Sequence, residues 1–214
     1  MTQETLPRNQ VEEIRQTVTP KHKTHFGGQA SIGSAEYIGD SVDDMGDGIA
    51  WNAGLYASIP LTEHTLTAEI GLNVIYRQVS NTEASYFDPY TNMTYARKNN
   101  INAYSLGVPL TLDLFTPGSN FYFAFGAQIE IPLKNQLQIS FNGDKRIDQD
   151  LAGKQCAPMS WDFILGIGFL ATEHFGIDAR LNIGISDIYD DLYVDNEYWS
   201  YTPIDINIGV KFFL

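Results

Sequence analysis

From Ile177 to the last residue the chain changes character at every step. Ile177, Ala179, Leu181, Ile183 and Ile185 alternate with Asp178, Arg180, Asn182, Gly184 and Ser186. The closing run repeats this, with Ile204, Ile206, Ile208, Val210, Phe212 and Leu214 set against Asp205, Asn207, Gly209, Lys211 and Phe213. A period of two requires strands, because successive side chains of a strand point to opposite faces of the sheet. Each strand therefore has one apolar face and one charged or small face. A soluble sandwich or lipocalin turns the apolar face inward. A transmembrane barrel turns it toward lipid and keeps the polar face in the lumen.

The same alternation recurs upstream, giving about eight segments in all. They run near Phe26–Ile38, Ile49–Leu61, Leu66–Arg77, Tyr104–Leu114, Phe121–Lys134 and Trp161–Thr172, with the two of the closing hairpin. The connections alternate too. Short turns at 62–65, 117–120 and 173–176 carry turn-forming residues, while the stretches 40–48, 81–100, 141–160 and 187–201 read as long polar loops. Short turns at one end and long loops at the other are the layout of an outer-membrane barrel. A segment of 11 to 13 residues, tilted, spans roughly 28 to 33 Å, enough for an apolar band about 25 Å tall. Aromatic residues gather at both ends of the segments: Trp51, Tyr76, Tyr104 and Trp161 beside the loops, Phe115, Phe121 and Phe212 beside the turns.

The bulk properties narrow the function classes. No run approaches the roughly 18 apolar residues of a membrane helix, and a barrel needs none. A net charge of −13 without a basic cluster argues against nucleic acid as a partner. The single Cys156 forms no internal disulfide. Residues 1–23 read as a leader on the periplasmic side, with Val11, Ile14 and Val18 at helical spacing, ahead of a barrel domain over 24–214. No apolar signal segment follows Met1. The expectation is a mature outer-membrane chain whose export signal has been removed, against the alternative of a cytoplasmic protein.

The glycines on the polar face favour a lumen. In water they cost strand stability for no return, whereas inside an eight-stranded barrel they make room for larger neighbours. The fold class expected is thus an all-β, eight-stranded antiparallel up-and-down transmembrane β-barrel. Its interior charges are expected to be Glu69, Arg77, Asp113, Glu130, Lys134, Asp162, Asp178, Arg180, Asp205 and Lys211. Mixed signs at each level imply paired charges and a plugged lumen with no continuous channel. Pro60, Pro109 and Pro132 lie within segments, where each removes a ladder N–H, and local bulges are expected there.

Three stretches carry a family likeness. Residues 104–115 (YSLGVPLTLDLF) resemble a Tyr-Leu-x-x-Pro-Leu-Leu-Leu strand of the small outer-membrane β-barrel proteins of Bacteroidetes and their relatives, the PorT-like family. Residues 177–188 are similar to that family's penultimate strand, and 208–214 to its Gly-x-x-Phe ending. The resemblance spans about Phe26 to Leu214, departs at Asn182 and Leu214, and implies an eight-stranded barrel without implying an activity.

No catalytic set is legible. His22, His25, His64 and His174 all fall at or before the short-turn end, away from the rim where a hydrolase would work, so no enzymatic activity and no cofactor are expected. Asp190, Asp191, Asp195 and Glu197 are candidate Ca²⁺ ligands, as closely spaced carboxylates, and Asp40, Asp43, Asp44 and Asp47 form a second acidic group. An anionic, solvated rim is the simpler reading of both. Tyr86, Phe87, Tyr90, Tyr95, Tyr193, Tyr198, Trp199 and Tyr201 enrich the loops in aromatics, which either pack the loops together or meet a protein or glycan partner. The expected protein is a monomer in outer-membrane lipid with a structural or interaction role. The rivals are a soluble lipocalin-like carrier, a rim enzyme and a narrow pore.

Overall fold

In the computed structural model, the residues described are 24–39, 48–62, 65–88, 90, 92–142, 144–152, 156–188, 192–194 and 197–214. Their regular structure is entirely strand: β1 (His25–Ile38), β2 (Gly48–Pro60), β3 (Leu66–Asp88), β4 (Met93–Phe115), β5 (Phe121–Phe141), β6 (Asp144–Asp150), β7 (Ser160–Leu170), β8 (Phe175–Gly184), β9 (Leu192–Val194), β10 (Glu197–Trp199) and β11 (Thr202–Phe213). The expected leader, residues 1–23, lies outside the described residues.

Eight of these strands close into an antiparallel barrel in the order β1-β2-β3-β4-β5-β7-β8-β11, with β11 returning to β1. The closing seam runs from Gly27 opposite Phe213 to Ile38 opposite Thr202, and the Leu214 N–H donates to the Phe26 carbonyl beyond it. Closure is what hydrocarbon demands, since an unpaired backbone N–H or C=O there has no water to turn to. β6 extends the sheet by pairing with the outer half of β5, while β9 and β10 form a separate hairpin.

The apolar face looks outward. Leu55 is 71% and Ile208 65% exposed, and Ile32, Leu72, Leu110, Phe123 and Ile167 face the same way. A soluble carrier would present this surface to water as one continuous greasy band, which excludes that alternative. The band is bounded toward the long loops by aromatic rings. Trp51, Tyr76 and Tyr104 are consecutive partners across β2, β3 and β4, with ring centroids 5.6 and 4.7 Å apart. Phe121 with Phe169 and Phe175 with Phe212 mark the short-turn boundary. Phe115, expected in that girdle, instead faces inward against Tyr122.

Beyond the Trp51–Tyr76–Tyr104 row the pattern reverses. On β3 the outward residues change from Leu72 and Val74 to Gln78 and Ser80, while the inward ones change from Asn73 and Arg77 to Val79. On β4, Asn100 and Asn102 face out and Ile101 and Ala103 face in. The upper parts of these strands are thus polar outside and apolar inside, as a sheet in water must be. This also explains why 81–100 was legible only as a loop: β3 continues to Asp88 and β4 begins at Met93, and the outward Gln78, Ser80, Asn100 and Asn102 beside the row carry no apolar face forward.

The prolines behave in three different ways. At Pro132 the expected bulge is present, with Ser105 opposite Pro132 and Tyr104 opposite Lys134, so that Leu133 is the extra residue. At Pro109 no shift occurs; the β3–β4 pairing lapses at Gly71 and Leu72 and resumes in the same register. Pro60 ends β2 and keeps its place opposite Thr67, past the last β1 partner of that strand.

The seam sets a steric limit. A Cβ on Gly33 would run into the Ile206 carbonyl of β11, so closure there requires glycine. Gly33→Val is expected to cost about 1–3 kcal/mol and to lower the temperature at which the compact form seen on unheated gels converts to the unfolded one. A conversion temperature equal to the parent's would show that the seam is not closed as described.

Candidate functional site

The candidate site is the barrel interior and its outer mouth. Of the ten charges expected inside, the structure places nine there, in two groups. The group nearer the loops is built on Arg77 of β3, which is 2% exposed. Its Nη1 and Nη2 each donate to a Glu130 oxygen at 2.6 Å. Its Nε and Nη2 donate to Asp205 at 2.6–2.9 Å. Asp162 Oδ2 stands 3.9 Å from the same guanidinium and accepts from Gln128 Nε2 at 3.1 Å, which also donates to Glu130 at 2.9 Å. Four strands on three sides of the barrel are held by one planar fork, the geometry for which arginine is suited and lysine is not.

The group nearer the short turns is built on Lys211 of β11 and Arg180 of β8. Lys211 Nζ, 1% exposed, donates to both oxygens of Glu69 at 2.8 and 2.7 Å, with Asp113 at 3.5 Å and Asp178 at 3.7 Å. Arg180 donates to Asp178 at 2.8 Å and to Glu69 at 3.3 Å. The ammonium also lies 5.6 Å from the ring centre of Tyr56 and 4.9 Å from that of Tyr122, a cation–π arrangement. Between the two groups, Gln29 donates to Asn73 at 2.8 Å, beside a cavity of about 20 Å³ that has room for a single water.

Apolar clusters lie at both ends of this polar column. Toward the turns, Tyr122, Ala124 and Leu170 pack with Phe115 and Phe213. Toward the loops, Tyr37, Val79, Ile101, Leu137, Ile139, Leu151, Cys156, Ile188 and Tyr201 form one cluster. The segment after β6 folds back to complete it: the Cys156 N–H donates to the Leu151 carbonyl and that of Ala157 to the Ile188 carbonyl. Burial pushes the Cys156 thiol up to about 12, so it serves as packing rather than as a nucleophile.

Lys134 is the tenth charge, and its expected place is corrected. It is exposed on the outer surface. The bulge at Leu133 exchanges the two faces of β5, so Asn135, Leu137 and Ile139 turn inward and Lys134, Gln136 and Gln138 turn outward. Because the apolar residues Ile129, Ile131 and Leu133 before Lys134 and Leu137 and Ile139 after it all keep odd numbers, the change of face leaves little mark on the sequence.

Other candidates fall as follows. Asp190, Asp191 and Asp195 lie outside the described residues, as do Asp40, Asp43, Asp44, Asp47, His22 and His64; Glu197 is described only as part of the β10 backbone. Among the described residues no group of three or more His, Cys, Asp or Glu side chains is placed to hold a metal. His25 and His174 sit at the short-turn end, with His25 against Phe213 and the His174 ring 3.3 Å from the Phe213 carbonyl. Tyr201 is buried in the outer cap against Tyr37, while Tyr90 is 86% exposed. Sequence reasoning missed Tyr56, Tyr122 and Gln128, whose signal was their place on the polar face of β2 and β5.

The Arg77 group yields a direct expectation. Arg77→Met leaves Glu130 and Asp205 buried without their cation, which is expected to cost about 3–5 kcal/mol of stability. Adding Glu130→Gln and Asp205→Asn to that variant restores a large part of the loss. Urea unfolding in lipid vesicles measures both, and a single variant as stable as the parent would contradict the pairing.

The outer membrane protein beta-barrel domain family matches residues 15–190 of the chain. Among solved structures, Neisserial surface protein A (NspA) is 16% identical, with 87% of this chain and 96% of that chain covered and a TM-score of 0.49. Ail of Yersinia pestis is 11% identical, with 91% and 99% covered and a TM-score of 0.43. The translocator domain of the autotransporter NalP from Neisseria meningitidis is 7% identical, with 94% and 91% covered and a TM-score of 0.31. No curated protein matches the chain significantly. With a closed eight-stranded barrel, a lipid-facing apolar band and a match over most of its length, the chain belongs to the outer membrane protein beta-barrel domain family and is a protein of the outer membrane.

Proposed function

We propose that the barrel is a closed, non-catalytic membrane anchor that presents its long external loops to a protein or glycan partner. The observation that carries this reading is the filled interior. Two charge-paired groups, a narrow polar middle and two apolar caps succeed one another along the axis, so an ion would have to break a buried ion pair and cross apolar packing to pass. The loops supply what the interior withholds. They carry Asp40, Asp43, Asp44, Asp47, Asp187, Asp190, Asp191, Asp195 and Glu197 together with most of the loop aromatics, a combination suited to a partner offering cations or hydroxyl-bearing rings.

Within the same reading the protein works as a monomer of the PorT-like branch, and Asp190, Asp191, Asp195 and Glu197 belong to an anionic, solvated rim. Planar lipid bilayers separate this account from a pore. The purified protein is expected to give no steady ohmic current, and a conductance of pore size that persists across voltages would end the closed-barrel reading.

A further inference from the structure

The position of Lys134 has a consequence that its expected place in the lumen concealed. Lys134 is the direct β5 partner of Tyr104, which is itself in line with Tyr76 and Trp51. A single row across four strands thus reads Trp51, Tyr76, Tyr104, Lys134. The row lies at the boundary of two surfaces. On its turn side the outward residues of β4 and β5 are Leu106, Val108, Ile129 and Ile131; on its loop side they are Asn102, Asn100, Gln136 and Gln138. This is the level at which lipid head groups meet hydrocarbon, where aromatic rings concentrate.

Lys134 has no ion-pair partner among the described residues, in a chain with twice as many acids as bases. Two acids of β6, Asp148 and Asp150, accept from other donors. Asp150 Oδ1 accepts from the backbone N–H groups of Asn135 and Ala152 at 2.9 and 3.1 Å, and Asp148 Oδ1 from the Gln136 side-chain amide at 2.7 Å. Lys98, another lysine of this wall, is also exposed, six residues farther along β4 and past the polar Asn100 and Asn102. Of the two, only Lys134 is level with the rings.

We propose that Lys134, beside Tyr104 at the end of the Trp51–Tyr76–Tyr104 row, binds the phosphate of an anionic lipid head group in the external leaflet. The ammonium supplies the charge, the phenol of Tyr104 flanks it, and the apolar band directly below receives the acyl chains of the same molecule. The bulge after Pro132 is what brings these together, because without the extra residue Lys134 would point into the lumen. A lipid, rather than free phosphate, is the occupant because the site is continuous with the lipid-covered face and has one cation and no enclosing pocket.

Spin-labelled phosphatidic acid and phosphatidylcholine, each introduced in trace into phosphatidylcholine vesicles holding the whole protein, test this by their relative association with the barrel at low ionic strength. The parent is expected to favour phosphatidic acid by about fivefold, the factor for one lysine near a membrane surface. Lys134→Gln is expected to lose that preference and Lys98→Gln to keep it. Inorganic phosphate at millimolar level is expected to leave the preference of the parent unchanged. Equal association of the two lipids with the parent, an equal loss in both variants, or abolition of the preference by inorganic phosphate would each overturn the proposal. Compact migration of each variant on unheated gels checks that its barrel is folded.

Discussion

A sheet that passes from hydrocarbon into water has to change which of its faces is apolar. In lipid the outer face is greasy and the inner face holds whatever polar groups can pair; in water the inner face must be the greasy one. In this barrel the change occurs on either side of one aromatic row. On β3 and β4 it is made by sequence alone, as Arg77 gives way to Val79 and Ser105 to Ala103 and Ile101 along the inner face. On β5 it is made by the backbone, through the bulge at Leu133. Toward the loops the inner face then gathers a hydrophobic cluster of its own.

The interior below that level follows from the same division. Most apolar side chains are on lipid, so the lumen is largely polar, with Ile75 and Ile164 among its inward residues, and three cations (Arg77, Arg180 and Lys211) meet six carboxylates (Glu69, Asp113, Glu130, Asp162, Asp178 and Asp205). Pairs buried this deeply specify geometry more than they add stability. Arg77 joins β3 to β5 and β11, and Lys211 joins β11 to β3 and β4, so residues far apart in sequence fix the cross-section of the barrel. That rigid cylinder supports the proposed role of the external loops as the working surface.

Much of this was legible in the sequence because a period of two survives any detail of packing. Strand number, the faces of the eight barrel strands near the turns apart from Phe115, and the grouping of interior charges into two levels follow from parity and strand direction. The upper strands were not legible because the cue being followed, an apolar outer face, ends where the lipid ends. Lys134 was misplaced for a related reason: one extra residue changes the face of β5, while the apolar residues from Phe121 to Leu133, and again at Leu137 and Ile139, keep odd numbers. Pro132 hinted at a bulge, yet Pro109 and Pro60 carry the same hint and keep register, so proline alone does not say where a ladder yields.

The reversal on β5 is therefore the point at which the account is most exposed. Single cysteines placed in turn at Ile129, Ile131, Asn135, Gln136, Leu137 and Gln138, in a Cys156→Ser background and in lipid vesicles, would be offered to a membrane-impermeant maleimide. The account predicts labelling at positions 136 and 138 and protection at 129 and 131 by lipid and at 135 and 137 by the interior. Labelling at 135 and 137 with protection at 136 and 138 would mean that the alternation runs unbroken through Leu133, and would contradict it.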